Sequence, residues 1–471
     1  MNTQCTAAQL EFQGVSRRCV VAAFDGGHLS SDGGALLLRE VDARFGVARR
    51  LAQCFTDHRH KDLIEHSVEE LLRQRLYGLA LGYEDLNDHD DLMRDPLLAL
   101  SLGKRDVEGH TRRRASDKGK ALASSSTLNR LELTPHDACV HSRYKKIVYH
   151  RERLESLLVE LFLDSYKCAP KEIILDFDAT DDPVHGNQEG KFFHGYYRCY
   201  CYLPLYVTCG DHVLVAQLRS SDRDAADGAT ETLARLVTQI RARWPEVSIV
   251  VRGDSGFARD GLMNWCEGHG VYYVLGLAKN QRLLQKIGKE MVEAQTLHRH
   301  TGHAARVFAH FHWMTRTSWT RQRRVIAKAE HLDKGANPRF IVTNLPETYA
   351  TPQSLYEDIY CARGDMENRI KEQQLDLFAD RTSTHTMRAN QLRLWLSTFA
   401  YTLVATMRRI ALKGTRLARA TCGSIRLKLL KLGAQLTISV RRFVIHLASA
   451  CPYQDVFRQA WRNLQNHPLR C

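Results

Sequence analysis

The order of short apolar runs and amphipathic segments between residues 171 and 277 constrains the fold more than any other feature of the sequence. Three strand-like runs come first, and a helix, a strand, a second helix and a last strand follow. The predicted strands are Ile173–Asp178, Tyr196–Thr208, Val213–Leu218, Ser248–Val251 and Tyr272–Leu277, and the predicted helices are Ala226–Trp244 and Gly261–His269. This order predicts an α/β fold.

The segments on either side of this region show different patterns. Up to residue 165 the pattern is mainly helical, and Ser67 and Glu70 form a capping box that opens a leucine-rich helix. Residues 286–350 carry short alternating strands, and helices are expected again from Tyr356 onward. We therefore predict an α/β core that is interrupted by a β-rich insertion and flanked by α-helical N-terminal and C-terminal regions.

Acidic residues follow two of the predicted strands. Asp176 and Asp178 alternate with apolar residues, so both point to the same side of the first strand. Asp254 lies just beyond the fourth strand, at the kind of position where open α/β sheets place functional groups. Taken singly, an aspartate at a strand end is more often a turn or cap residue. These aspartates indicate a functional site only if another part of the chain supplies a further carboxylate.

A predicted helix from Tyr360 to Gln374 supplies that carboxylate. At about 100° per residue, four of its side chains project within about 80° of one another. They are Tyr360, Arg363, Glu367 and Lys371. One acid between an arginine and a lysine suits a carboxylate that meets a metal ion while its neighbours meet phosphate.

Together, the strand-end aspartates and Glu367 would form a site for two hard cations. Two metal ions about 3.5–4 Å apart activate the attacking oxygen and stabilise the leaving oxygen in phosphoryl transfer. Magnesium suits this site because it takes few carboxylates and completes its shell with water and substrate phosphate. Without a metal, three converging carboxylates would repel one another.

The positive charge of the chain, +14 in total, is concentrated in one block. Residues 381–454 contain 13 Lys and Arg but no Asp or Glu, whereas the rest of the chain holds 54 basic and 53 acidic residues. A solvated basic face would also explain such a block, but natural surfaces usually interleave both signs. We therefore predict a nucleic-acid partner.

Several features indicate a cytoplasmic protein. No run of about 18 apolar residues predicts a membrane span, and the N-terminus lacks the charged start and apolar core of a signal peptide. The 13 cysteines are scattered without a CxxC pair, and Cys199 and Cys201 have poor spacing for zinc. Free thiols in a reducing compartment explain them better.

Two features of the 286–350 region admit a functional and a structural interpretation. His310 and His312 share one face of a strand and suggest a metal site, but alternating solvent-facing positions explain them better. Trp319 is a candidate for stacking on an unpaired nucleic-acid base, and ordinary packing is the alternative. We favour packing.

Three acidic motifs together resemble the DDE transposases of bacterial insertion sequences, and more narrowly the insertion-sequence family numbered thirteen-eighty. The motifs are ILDFDATDDPVHG at 174–186, VRGDSGF at 251–257 and YCARGDMENRIKEQQ at 360–374. ASSSTLNRLE at 123–132 and NQLRLW at 390–395 extend the similarity over nearly the whole chain. The resemblance implies an RNase H-like catalytic core with a β-strand insertion.

The resemblance also assigns the site residues. The catalytic and metal-binding acids fall on Asp178, Asp254 and Glu367, and the implied cofactor is Mg²⁺, with Mn²⁺ as an alternative. Tyr360 and Arg363 match the Tyr-x2-Arg-x3-Glu signature and would contact DNA phosphate.

Two positions leave the assignment open. The lysine that ends the family signature is replaced by Gln374. Either Lys371 on the same helical face substitutes for it as the phosphate-binding residue, or this phosphate contact is absent. Asp176 is a rival to Asp178 because the two share a face, and the Asp-x-Thr match favours Asp178. The alternative role of Asp176 is a hydrogen-bonded residue that supports the site.

On this basis the chain is expected to divide into five regions. They are a helical DNA-binding or organising region (1–165), the first part of the RNase H-like core (170–285), the β-strand insertion (286–350), the remainder of the core with the glutamate helix (351–405) and a basic helical C-terminal region (406–471).

The implied function is that of an insertion-sequence transposase in the bacterial cytoplasm, associated with the nucleoid. It would bind inverted-repeat DNA ends, cleave them and join the 3′ hydroxyl to target DNA, as a homodimer assembled on double-stranded DNA. Two alternatives are a catalytically silent DNA-binding protein and a structure-specific nuclease on the same core. A strand-transfer assay with a pre-cleaved end would separate the nuclease from the transposase.

Overall fold

The computed structural model describes residues 9–467, which divide into two compact units. One unit is Tyr149–Thr402, and the other combines the chain on either side, Met1–Val148 and Leu403–Cys471. The three acids predicted to form the site all belong to the first unit. No helix within the described range is both long enough and apolar enough to cross a bilayer.

A nine-stranded mixed sheet organises the described residues of the Tyr149–Thr402 unit. In chain order its strands are β1 Glu172–Ala179, β2 Leu205–Cys209, β3 His212–Gln217, β4 Ser248–Gly253, β5 Tyr272–Leu277, β6 Ala305–Trp313, β7 Arg323–Leu332, β8 Gly335–Ala336 and β9 Arg339–Thr343. Their spatial order is β3-β2-β1-β4-β5-β9-β7-β6, with β8 paired to β7. Strands β1, β4 and β5 are parallel, and the other pairs are antiparallel. The predicted α/β class is confirmed.

Helices cover one face of this sheet because parallel strands need crossover connections. They are α1 Arg151–Asp164, α2 Ala229–Arg243 and α3 Asp260–Gly268, of which α2 joins β3 to β4 and α3 joins β4 to β5. Their apolar side chains share one core with Leu175 and Phe177, which lie on the helix-covered face of β1. The opposite face carries Ile174, Asp176 and Asp178, so the acids of β1 lie away from these helices.

An irregular helical segment from Pro352 to Asp376 packs on that opposite face through Leu355 and Tyr356. It begins with the short helix Pro352–Ser354 and continues through a π-helical turn (Leu355–Tyr360), a 3-10 turn (Cys361–Arg363), helix Gly364–Lys371 and a second π-helical turn (Glu372–Asp376). The prediction of one regular helix over 360–374 is therefore wrong in detail. Wide turns of this kind often occur at functional sites.

The region predicted as a β-strand insertion differs from the prediction in two ways. Its strands β6 and β7 are nine and ten residues long, and through β9 they continue the central sheet from β5. Helices Gln281–Lys286 and Gly288–Thr301 precede them, so residues 286–350 are not purely strands. The predicted strand Tyr196–Thr208 is also divided, into Cys199–Tyr202 and β2, with Pro204 between them. Proline has no backbone N–H to donate to a strand ladder.

The other unit contains most of the predicted N-terminal helices. They are Ala35–Phe45, Val47–Ala52, Val68–Leu81, Asp88–Leu92, Pro96–Ser101 and Ser125–Glu132, and Gln454–Gln465 lies near the C-terminus. The predicted capping box is confirmed. The backbone N–H of Ser67 donates to the Glu70 carboxylate at 2.8 Å, and that of Glu70 donates to the Ser67 hydroxyl at 3.2 Å.

Strands also occur in both regions that were predicted to be helical. Leu10–Val15 pairs with Arg18–Ala22, and Ala434–Ile438 pairs with both Phe443–Leu447 and His28–Ser30. The prediction of a purely helical C-terminal region is therefore wrong for residues 434–447. The cause is visible in Ala434–Ile438, where buried and exposed residues alternate as on a half-buried strand.

Several cations of the acid-free block are engaged within the protein. Arg426 donates to the carbonyls of Leu79 and Ala80 at the end of a helix, and Lys431 lies 2.8 Å from a carboxylate oxygen of Asp32. Others are solvent-exposed, namely Lys413, Arg419, Lys428, Arg441 and Arg442. The basic block therefore stabilises the fold in part, and its exposed members remain the candidates for phosphate contacts.

Candidate active site

Parallel pairing of β1 with β4 explains why two distant aspartates meet. The register places Arg252 opposite Asp176 and Gly253 opposite Phe177, so Asp254 follows beside Asp178. Asp254 begins the 3-10 turn after β4, and its carboxylate accepts a hydrogen bond from the Gly256 N–H at 2.8 Å. The strand end and this turn together fix both carboxylates at the same edge of the sheet.

Arg363 connects Asp178 to the third acid. Its guanidinium nitrogens lie 3.6 Å from an Asp178 carboxylate oxygen and 3.4 Å from a Glu367 carboxylate oxygen. Both separations are longer than a good hydrogen bond. Arg363 therefore balances charge between the two acids without forming a tight ion pair with either one.

The pKa of Asp178 is raised from 3.8 to about 6. Burial is the main cause, and the charges of Asp254 and Glu367 raise the pKa further. Arg363 and the Ala179 N–H act in the opposite direction but do not compensate. At neutral pH the Asp178 carboxylate is thus held in an unfavourable charged form, as is common at functional sites.

Hard cations would suit this set of ligands. Within residues 9–467, no group of three or more His, Cys, Asp or Glu side chains is gathered closely enough to hold a metal ion. However, Asp178, Asp254 and Glu367 line one cavity and offer only oxygen ligands. The charges of Asp254 and Glu367 add to the effect of burial in raising the pKa of Asp178, and a bound divalent cation would act in the opposite direction. For Asp178 and Glu367 to share a cation, Arg363 would have to move from between them.

Asp176, the rival to Asp178, is committed to a buried ion pair. Its carboxylate accepts two hydrogen bonds from Arg252, one of them at 2.8 Å, and both side chains are less than 10% exposed. Arg252 also donates to the Ile359 carbonyl in the helical segment. Asp176 therefore joins β1, β4 and the helical segment, which is the supporting role proposed as its alternative.

Tyr360 lies beside the acids but faces a neighbouring cavity. It lines a space of about 120 Å³ together with Ser255 and Gly276. A Cβ atom on Gly276 would lie only 2.6 Å from the Tyr360 hydroxyl and 2.9 Å from the Ser255 nitrogen. Gly276 thus allows the Tyr360 ring to approach β5 and the turn after Asp254.

Lys371 and Gln374, the last two helical positions considered in the sequence, lie at the cavity that the three acids line. The side-chain amide of Gln374 donates to the Asp181 carbonyl at 3.1 Å. Gln374, which replaces the signature lysine, therefore attaches the helical segment to the loop after β1. Lys371 and Arg363 are cations at the cavity wall.

Aromatic residues that sequence reasoning did not single out complete the cavity, which has a volume of about 460 Å³. They are His194, at the end of the strand Phe192–His194, and Tyr196 and Tyr197, in the turn that leads to the strand Cys199–Tyr202. Burial, with nearby Asp181 and Asp178, raises the pKa of Tyr197 to about 12. The available signal was the aromatic-rich sequence FFHGYYRCYCY at 192–202.

The structure also decides between the two interpretations of Trp319. This side chain is only 7% exposed, and the Arg323 guanidinium lies 5.4 Å from the centre of its ring. The packing interpretation is confirmed, and Trp319 is not positioned to stack on a base. His310 lies on the solvent side of β6 with its Nδ1 3.3 Å from Glu347.

Comparison with known proteins places the sequence among transposases. The family model described as "Transposase DDE domain group 1" matches residues 12–469. Among solved structures, a cryo-EM structure of a piggyBac transposase synaptic complex with hairpin DNA is similar, with a TM-score of 0.42 and 11% identity. That similarity covers 84% of this chain and 80% of the other chain. No curated protein matches the sequence.

Proposed function

Because the chain belongs to the transposase DDE domain family, group 1, we propose that it cleaves and joins DNA as the transposase of a bacterial insertion sequence. The sequence motifs favour the insertion-sequence family numbered thirteen-eighty and an RNase H-like organisation of the core. The proposed substrates are inverted-repeat ends and target DNA, bound by a homodimer that assembles on DNA in the bacterial cytoplasm.

One observation carries this proposal. Asp178 and Asp254 lie side by side at the ends of parallel strands, with Glu367 beyond Arg363, and the pKa of Asp178 is raised to about 6. A protein gains no stability from like charges gathered around a partly buried carboxylate such as Asp178. Such an arrangement is expected where the acids serve chemistry rather than folding.

The proposed metal ligands are Asp178, Asp254 and Glu367, with Mg²⁺ or Mn²⁺ as the ion. When bound, the ions would activate an oxygen nucleophile and stabilise the leaving oxygen of a phosphodiester. Arg363, whose contacts with Asp178 and Glu367 are longer than a good hydrogen bond, would turn toward the DNA phosphate. Lys371, at the cavity wall, would hold a second phosphate oxygen as a point charge.

Glu367→Gln tests the proposal because it removes one ligand charge while keeping the side-chain shape. We expect Mg²⁺-dependent cleavage of end DNA to fall by about 10²–10³-fold, the scale on which removal of one charge-stabilising group acts. Binding of end DNA should change little. The matched control is Asp365→Asn, an exposed acid on the same helix that does not line the cavity.

The outcomes also separate the alternatives. If Glu367→Gln cleaves like wild type, the site is wrong. If wild-type protein binds DNA but never cuts it with Mg²⁺ or Mn²⁺, the protein is a silent DNA-binding relative. If it cuts but does not join a pre-cleaved 3′ end to target DNA, it is a nuclease.

A further inference from the structure

A short β-hairpin beside the candidate active site exposes an unusual number of aromatic rings. It consists of the strands Phe192–His194 and Cys199–Tyr202 and the turn between them, and we call it the aromatic hairpin. Its exposed rings are Phe192 (44%), Phe193 (58%), Tyr196 (84%) and Tyr200 (53%). Contiguous exposed rings are rare on soluble proteins and indicate an interaction surface.

The rings of the aromatic hairpin are arranged in pairs. Phe193 and Tyr200 make an edge-to-face contact with ring centres 5.5 Å apart, and Tyr196 and Tyr197 make another at 5.0 Å. The Lys191 ammonium lies 5.2 Å from the centre of the Tyr200 ring. Phe193, Tyr196 and Tyr200, three of the four exposed rings, each contact a neighbouring ring.

Backbone contacts hold the turn in one shape. The N–H of Arg198 donates to the His194 carbonyl at 2.8 Å, and Arg198 has a left-handed φ of 56° that residues other than glycine rarely adopt. The Ser221 hydroxyl donates to the Phe192 carbonyl at 2.9 Å, which attaches the hairpin to the chain beyond β3. Tyr196 is therefore displayed on an organised loop, so little entropy need be lost when a ligand stacks on it.

The aromatic hairpin is continuous with the proposed catalytic cavity. Tyr196 lines the same cavity as Asp178, Asp254 and Glu367. From Lys191 to Tyr202 the sequence has two cations, Lys191 and Arg198, and no acidic residue. Exposed rings interleaved with positive charge form the surface that binds single-stranded nucleic acid, since every base has a face that stacks.

Resting on the proposed transposase function, we propose that the aromatic hairpin holds unpaired nucleobases of the DNA end being processed. Tyr196 stacks on the base nearest the carboxylates, and the Phe193–Tyr200 pair receives the next base. Lys191 and Arg198 contact the phosphates between these bases. The bases thereby keep the strand in place while its backbone lies at the acids.

Binding of two probes by the full-length protein tests this proposal without catalysis. One probe is a fluorescein-labelled dT12 oligonucleotide, and the other is an abasic strand with the same number of phosphates. Affinity is measured by fluorescence anisotropy in EDTA. Wild-type protein should bind dT12 more tightly, and Tyr196→Ala should weaken dT12 binding about tenfold, the scale of losing one stacked base. Binding of the abasic strand should stay unchanged.

Two further variants serve as controls. Tyr196→Phe keeps the ring and should bind dT12 like wild type. Tyr272→Ala removes an exposed tyrosine at the opposite end of β5 from the site and should leave both affinities unchanged. The proposal is overturned if Tyr196→Ala weakens both probes equally, or if wild type binds both probes equally.

Failure of this proposal is distinguishable from failure of the proposed function. If wild type cleaves and joins DNA but Tyr196→Ala binds dT12 normally, the stacking role is wrong and the transposase assignment stands. If the base preference depends on Tyr196 but no cleavage occurs with Mg²⁺, the protein uses the aromatic hairpin for binding alone.

Discussion

Asp176 in the middle of β1 and Asp178 at its end lie on the same face of the sheet, but their surroundings differ. Asp176 is paired with Arg252, which is itself fixed to the Ile359 carbonyl. Asp178 has Asp254 and Glu367 as neighbours and only a distant contact with Arg363. Burial raises the pKa of both carboxyls, but two hydrogen bonds from Arg252 oppose the rise at Asp176, whereas no hydrogen-bonded cation opposes it at Asp178.

This difference separates folding from chemistry. A buried acid that serves the fold should destabilise the protein when it is removed, because its partner cation is left uncompensated. A buried acid that serves chemistry should have the opposite effect, because its charge is a cost in the absence of ligand. The two positions therefore predict effects of opposite sign for the same substitution.

The largest effect is expected for Asp176→Asn. Arg252 is 6% exposed and would lose its counter-ion, so we expect the free energy of unfolding to fall by about 3–5 kcal/mol. Urea denaturation in EDTA measures it. The double variant Asp176→Asn/Arg252→Met removes both charges and should recover part of the loss. A single variant as stable as wild type would contradict the structural role of this pair.

Asp178→Asn should instead stabilise the protein at pH 7. The folded-state pKa of about 6 exceeds the ordinary value of 3.8, so Asp178 contributes stability below about pH 4 that is lost as the pH rises through about 6. Asparagine avoids that loss, and the gain should be about 2–3 kcal/mol at pH 7, since each pKa unit corresponds to about 1.4 kcal/mol.

The pH dependence is the control for this prediction. The stability difference between Asp178→Asn and wild type should shrink to zero below about pH 4, where wild-type Asp178 is protonated in both states. Thermal unfolding at several pH values in EDTA measures this. A variant that is less stable than wild type at pH 7 would show that Asp178 is a paired residue like Asp176, and the contrast between the two positions would not hold.

The sequence predicted the faces of these strands but not the pairing between them. Alternation along β1 placed Asp176 and Asp178 together because side chains alternate strictly along a strand. The register between β1 and β4 depends on hydrogen bonds between segments far apart in sequence, so local pattern does not reveal it. The structure supplies it, and with it the Asp176–Arg252 pair.

A signal for that pair was nevertheless present. Arg252 precedes Asp254 by two residues, as Asp176 precedes Asp178, so parallel strands in register would align both pairs at once. The aromatic hairpin was harder to predict, because its function depends on exposure, which sequence pattern does not report. The two π-helical turns on either side of Arg363 were not predicted either, because an ordinary helical period already placed Glu367 near the site and gave no sign of an irregular turn.

The smallest effect is expected for Gly276→Ala, in β5 beside the turn that carries Asp254. The added Cβ would meet the Tyr360 hydroxyl at 2.6 Å and the Ser255 nitrogen at 2.9 Å, so the Tyr360 ring or the turn after Asp254 must shift. Overpacking of this kind costs about 1–3 kcal/mol. Tyr360→Phe removes the nearest contact, so combining it with Gly276→Ala should cost less than the sum of the two single changes.

The coupling between Gly276→Ala and Tyr360→Phe shows whether the Tyr360 ring or the backbone turn at Ser255 moves to make room for the added Cβ. If the coupling is strong, the strain falls on Tyr360, and the carboxylates keep their positions, so the pH-dependent gain of Asp178→Asn should persist in the Gly276→Ala background. If the two changes are additive, the backbone turn moves instead and carries Asp254 with it. The pKa of Asp178 should then fall, because a neighbouring charge that raises it has been displaced.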